Sequence, residues 1–196
     1  MKSGHAPTET IADYAAGALT PGMALLVASH LSYCPACRDK AARLEALAGA
    51  LLASCAPVAP TSRCLKAALA RISVDEEGSE APRPAAAELP RPLSEWLRKP
   101  LCDLRWRALM PGLNACALDG FAGERVGLMR GDPGVAIPAH CPSGAGGALV
   151  LAGRLQEGLA TYRCGDLAFP RPEAQADPEV VGSEPCLCLV VQPAGA

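Results

Sequence analysis

Histidine is scarce in this chain, with three in 196 residues, and an excess of positive charge is missing altogether. Lysine and arginine number 18 against 20 aspartates and glutamates. Divided after Glu80, the two parts carry 7 against 8 and 11 against 12. Neither part offers the concentrated cationic surface with which nucleic-acid binders displace counterions, so direct DNA binding is not expected. Long apolar runs are absent as well. MALLVA, ALAGALLA and CLCLVV fall far short of the roughly 20 residues that span a bilayer, and MALLVA lies behind a Thr-Pro-Gly turn, so it does not read as a signal peptide. A soluble, cytoplasmic protein without a membrane segment is expected. In a reducing compartment its ten cysteines are thiols for burial, metal binding or redox chemistry rather than disulfides. The chain also has no G-x-S-x-G elbow and no Walker-type phosphate loop; GAGG at Gly144 to Gly147 lacks the lysine. With no nucleophile-base pair evident either, the chain is not expected to be an enzyme.

What is present divides into two patterns. Half of the residues are apolar, enough for one large or two small domains. Residues 1–77 read as helical. Thr8 opens a short helix that Gly17 can close, and Thr20-Pro21 is an N-cap followed by proline at the first helical position. In this second helix Met23, Leu26, Val27 and His30 recur at i, i+3, i+4 and i+7, which places His30 on the buried stripe. A third helix from about Pro35 to Ser54 has Leu44, Leu47 and Leu51 as its stripe, and a fourth from about Thr61 to Ser73 has Leu65, Leu69 and Ile72. Residues 78–95, acidic and then proline-rich, read as a linker. In 96–196 short apolar runs alternate with Gly, Pro and Asp: LRWRAL, NACAL, RVGLM, GVAI, ALVLAG, GLATY, DLAF and CLCLVV. That spacing predicts short antiparallel strands in a small sandwich or barrel.

The segment HLSYCPAC concentrates the chemistry. His30 and Cys34 are four apart and share a helix face, Pro35 turns the chain at Cys34, and Cys37 then falls in the first turn of the next helix. Backbone amides at that end favour the thiolate, the form that binds metal. Three donors converge on one corner, and tetrahedral zinc takes four. The other histidine of this half is His5, on the arm that must pass the helices. A His5, His30, Cys34, Cys37 sphere is closed to water, which makes the zinc structural rather than catalytic. Each of these residues alone reads more simply as core, but the three-residue spacing beside a helix-breaking proline favours the metal. A helical unit of under 80 residues also gains little margin from its own core, where a structural zinc contributes on the order of 10 to 16 kcal/mol.

Through His5, His30-x3-Cys34-x2-Cys37 and the surrounding ADYAAGALTPGMALLVASHLSYCPACR, the chain resembles the zinc-binding anti-sigma domain. Its whole length, through LRWRAL, the strand pattern and the closing CLCL, resembles the ChrR-type anti-sigma factors, which join that helical domain to a C-terminal cupin. The resemblance implies a two-domain α + β protein: four helices with one zinc, then an antiparallel β cupin or jelly roll. It implies a group IV (extracytoplasmic-function) sigma factor as a 1:1 partner, with the helical domain packed between that partner's two RNA-polymerase-binding domains so that it is kept from the polymerase. It also implies that Leu65, Leu69 and Ile72 of the fourth helix touch the partner and that a stress signal through the cupin, oxidative stress included, releases it.

The cupin half departs from its family. Of the metal-binding pattern G-x5-H-x-H-x3,4-E-x6-G, Gly134, His140 and Gly153 match, while Pro142 replaces the second histidine and the glutamate position falls at Gly146. After Gly165-Asp166 the family places another histidine, where this chain has Ala174, Gln175 and Ala176. A second metal at His140 would need thiols such as Cys141 or Cys164, so the barrel is expected as a scaffold without its metal. Cys186 and Cys188 project to the same side of a strand and read either as buried thiols or as an oxidant sensor whose modification loosens the cupin from the helices. The alternative to a regulatory binding protein is a cupin-type metal-dependent sensor or enzyme with an accessory zinc module.

Overall fold

A computed structural model describes residues 4–75, 89–137, 146–169 and 177–193, the side chains of 72–75 excepted. Among the described residues five helices come first: α1 (Thr8–Ala15), α2 (Pro21–Tyr33), α3 (Pro35–Ala53), α4 (Ser62–Asp75) and α5 (Arg91–Leu97). A 3-10 turn, Leu101–Asp103, leads into nine strands: β1 (Arg107–Met110), β2 (Leu113–Leu118), β3 (Glu124–Gly131), β4 (Gly147–Ala152), β5 (Arg154–Glu157), β6 (Ala160–Arg163), β7 (Leu167–Ala168), β8 (Glu179–Val180) and β9 (Cys186–Pro193). They form a six-stranded sheet in the order β1-β2-β3-β9-β4-β7 and a three-stranded sheet β6-β5-β8. Every strand pair is antiparallel, as expected of the cupin-like half.

Strand alternation explains how the layers join. Along β9, Leu187, Leu189 and Val191 point to the helices, while Cys186, Cys188 and Val190 point to the three-stranded sheet. Both faces of the large sheet are thereby covered: α2 and its neighbours lie on one, the small sheet on the other. Val126, Leu128, Leu149, Leu151 and Leu189 share a single core with Ile11, Leu26 and Val27 of the helices and Leu93 and Leu97 of α5. Close approach requires glycine at one point. A Cβ on Gly147 of β4 would stand 2.9 Å from Leu26 Cδ2, so α2 rests directly on the sheet.

Several expectations need correction. The helical half does not close a core of its own, because α2 buries Leu25, Leu26, Val27 and His30 partly against β strands. The α3 stripe is only half buried at Leu44 and then exposed, Leu47 by 60% and Leu51 by 63%, because beyond its first turns nothing among the described residues covers it. Residues 91–95 of the segment read as linker belong to α5, where Pro92 occupies the first turn that tolerates proline and Leu93 is fully buried. GVAI contributes only an isolated bridge, Ala136 to Glu179, since Gly134 with φ +79° turns the backbone there. Of LRWRAL, only the second half enters β1.

Candidate metal centre

The α2–α3 corner is built by one residue serving two helices. Cys34, at φ −105° and ψ 100°, is the C-cap of α2, its amide donating to the His30 carbonyl at 3.0 Å, and also the N-cap of α3, its sulfur accepting from the Cys37 amide at 3.5 Å. Pro35 at the first position of α3 enforces the extended geometry of Cys34. The corner therefore delivers His30, Cys34 and Cys37 to one side. The N-terminal arm brings His5: Gly4 pairs with Leu167 beside β7, the Leu167 amide donating to the Gly4 carbonyl at 3.1 Å.

One donor atom from each of His5, His30, Cys34 and Cys37 lies within 4.8 Å of the others. His5 Nδ1 is 3.2 Å from Cys34 Sγ and 3.6 Å from Cys37 Sγ. Zinc bonds of about 2.0 to 2.3 Å set at the tetrahedral angle separate ligand atoms by roughly 3.3 to 3.8 Å, and the two distances from His5 are close to that range. The strongest sign is an orphan. His30 is 1% exposed, its Nδ1 is 2.7 Å from the Gly165 carbonyl, and its buried Nε2 has no hydrogen-bond partner among the described residues. A carbonyl only accepts, so Nδ1 holds the proton and Nε2 carries a lone pair that nothing among the described residues uses. Burial also holds the imidazole below its ordinary pKa, in the neutral form that ligates, against the opposing effect of the Gly165 bond. Burial pushes the metal-free Cys37 thiol up, offset in part by the Ala6 backbone hydrogen bond, and zinc would replace the proton that this favours. Two nitrogens and two sulfurs in a closed shell are a zinc donor set, and an ion held by them would tie the arm to the corner.

Elements that the sequence did not single out surround this sphere. The β6–β7 turn supplies Gly165 and the start of β7 supplies Leu167; at the end of α2 Tyr33 lies against this turn at Gly165, and the adjacent Cys164 thiol donates to the Leu151 carbonyl at 3.0 Å. No local pattern could announce a contact between residues 135 apart.

The remaining candidates are placed less fully. His140, Cys141, Pro142 and Ala174 to Ala176 lie outside the described residues, as does the side chain of Ile72. The space between the sheets is packed with Val150, Leu155, Tyr162, Val180, Cys186 and Cys188. The two thiols lie 3.6 Å apart, and their hydrogen bond lowers the pKa of Cys186 while raising that of Cys188. Leu65 and Leu69 are 54% and 55% exposed. Among the described residues no helix is long and apolar enough to cross a membrane.

Comparison with known proteins agrees with this anatomy. Residues 8–38 match the family model described as "Putative zinc-finger", which takes in His30, Cys34 and Cys37 and stops short of His5. The chain is 31% identical over 186 residues to the anti-sigma-E factor ChrR of Cereibacter sphaeroides, covering 94% of this chain and 87% of that protein. It superposes with a TM-score of 0.76 and 30% identity on a chain of the crystal structure of Rhodobacter sphaeroides SigE in complex with the anti-sigma ChrR, over 96% of this chain and 98% of that one. An RmlC-like cupin of Ralstonia eutropha matches 48% of this chain and 66% of its own at 16% identity and a TM-score of 0.40.

Proposed function

Because the chain belongs to the family of the anti-sigma factor ChrR, we propose that it binds a group IV sigma factor one to one and keeps it from RNA polymerase, acting in the cytoplasm with no catalytic step of its own. The observation that carries this reading is the set of exposed large apolar side chains on the two helices after the zinc corner. Leu47, Leu51 and Leu52 of α3, Val58 in the connection, and Leu65 and Leu69 of α4 are all at least half exposed. A run of large apolar side chains of this extent is the signature of a protein interface. Zinc bound at the corner would hold the direction in which Cys34 and Pro35 send α3 from α2, and hence where those side chains point. Titration of the cognate sigma factor into the zinc-loaded chain, followed by calorimetry, tests the reading. Tight 1:1 binding that Leu51→Asp and Leu65→Asp abolish supports it; full binding by both variants overturns it.

The release signal belongs to the β domain in this reading. Cys186 and Cys188 lie on the β9 face opposite the one that meets the helices, so added bulk between the sheets would push β9 toward α2. A hydroperoxide supplies the two-electron oxidation: a thiolate attacks the terminal peroxide oxygen, the O–O bond breaks, sulfenic acid forms, and the departing alkoxide takes a proton from water to give the alcohol. A Cys186→Ser/Cys188→Ser chain that still releases the sigma factor under peroxide as the parent does would remove these thiols from the signal. The alternative of a metal-dependent cupin sensor or enzyme depends on His140 and is tested by metal counting: a second ion that survives Cys34→Ser/Cys37→Ser and is lost in His140→Ala would establish it.

A further inference from the structure

We propose that the Cys164–Leu167 turn of the β domain is the outer shell of the zinc centre, so that zinc binding and docking of the β domain on the helices are one linked equilibrium. Two of the four ligands are positioned from this turn. The Gly165 carbonyl fixes the His30 tautomer and ring direction at 2.7 Å, and the Leu167 amide holds the Gly4 carbonyl, one residue before His5, at 3.1 Å. The turn is itself tightly seated. Asp166 Oδ2 accepts the Arg163 amide at 2.8 Å, the Gly165 amide donates to Val150 O at 2.8 Å, and the Val150 amide donates to Asp166 O at 3.0 Å. Gly165 has φ +89°, and a Cβ there would stand 2.8 Å from Tyr33 Cβ, so the end of α2 lies flush on the turn. Outer-shell partners of metal-bound histidine set ligand orientation and basicity, and losing them costs on the order of 10- to 100-fold in metal affinity. By linkage, whatever factor docking adds to zinc affinity, zinc adds to docking. Val150 is also the cross-strand partner of Cys188, so the turn is hydrogen bonded to the residue facing the β9 thiols.

The inference goes beyond sigma-factor binding and is tested without that partner, on the full chain, so its failure and the failure of the anti-sigma reading are separate events. Zinc affinity is measured by chelator competition, cobalt(II) absorption bands report ligand geometry, and hydrogen exchange reads the Leu167 amide. Gly165→Ala is expected to weaken zinc binding by on the order of 10- to 100-fold and to shift the cobalt bands. In Asp166→Asn, a milder change that covers the case in which Gly165→Ala does not fold, a smaller weakening is expected. In metal-free Cys34→Ser/Cys37→Ser, the Leu167 amide should lose protection while amides of the β3–β9 ladder keep theirs. Zinc affinity within twofold of the parent in the folded turn variants, or a Leu167 amide equally protected with and without metal, overturns the proposal.

Discussion

The carboxylate of Glu124, the first residue of β3, accepts the amide of Gly22, 102 residues earlier in the first turn of α2, at 2.7 Å and also the hydroxyl of Thr20, so a side chain of the β domain caps that helix. Thr20, at the N-cap position, makes no side-chain cap of its own, which leaves that task to Glu124. Together with the Gly165–His30 contact at the other end, α2 is fastened to the sheet at both termini.

Removing this cap should loosen α2 from its first turn. Glu124→Ala is expected to lower stability by about 1 kcal/mol, the usual worth of an N-cap with its favourable helix dipole. Glu124→Gln, which keeps acceptor capacity but loses the charge, should cost less. Urea unfolding of the zinc-loaded chain measures both, and equal stability of all three proteins would show that the cap contributes nothing.

Metal removal should act on the helices more than on the barrel. The purified chain is expected to hold one zinc and the Cys34→Ser/Cys37→Ser chain none. Without the ion, His5 and the arm lose their tether and the α2–α3 corner its closure, while the sheets keep their own ladders. Elemental analysis paired with circular dichroism should therefore show loss of helical signal and cooperativity with the strand signal retained. A metal-free chain with unchanged helix content and melting would contradict it.

The parts legible in the sequence were those fixed over short distances. The His30, Cys34, Cys37 spacing defines the corner because Pro35 forces the turn at Cys34, and His5 followed because histidine is so scarce. Cys186 and Cys188 share a face because strand side chains alternate. What covers an apolar stripe was not legible. The stripe of α2 and that of α3 look alike as patterns, yet one lies on a sheet and the other is exposed, since periodicity says that a face is apolar and not what meets it. The contacts of Gly165 with His30 and Glu124 with Gly22 depend on packing between elements more than 100 residues apart, which leaves no local trace.

Exposed and buried leucines should separate stability from binding. Leu189 is 0% exposed and lies against the helices, so Leu189→Ala should cost about 2 to 5 kcal/mol. Leu52 is 75% exposed, and Leu52→Ala should change stability by no more than roughly 0.5 kcal/mol. If α3 meets the sigma factor, Leu52→Ala should instead weaken that complex. Thermal melts and calorimetry on the two variants check this, and a large stability loss from Leu52→Ala would mean that α3 is covered within this chain.

Tyr33 gives the helix–barrel contact a pH signature. Burial, with the neighbouring Cys164 sulfur assisting, pushes its pKa up to about 12 from the ordinary 10. The neutral phenol is the form the fold accepts. As pH rises past the unfolded value, the unfolded chain gives up this proton while the folded chain still holds it, so stability is lost with increasing pH. The contribution is present in full below about pH 10 and has been lost once pH passes about 12. Tyr33→Phe removes the titrating group, so the stability difference between parent and variant, followed at saturating zinc, should shrink across that interval and be constant below it. Absorbance of tyrosinate in the folded parent should show a component near pH 12 that the variant lacks. Parallel stability curves with no such component would place the Tyr33 hydroxyl in solvent rather than against the Cys164 turn.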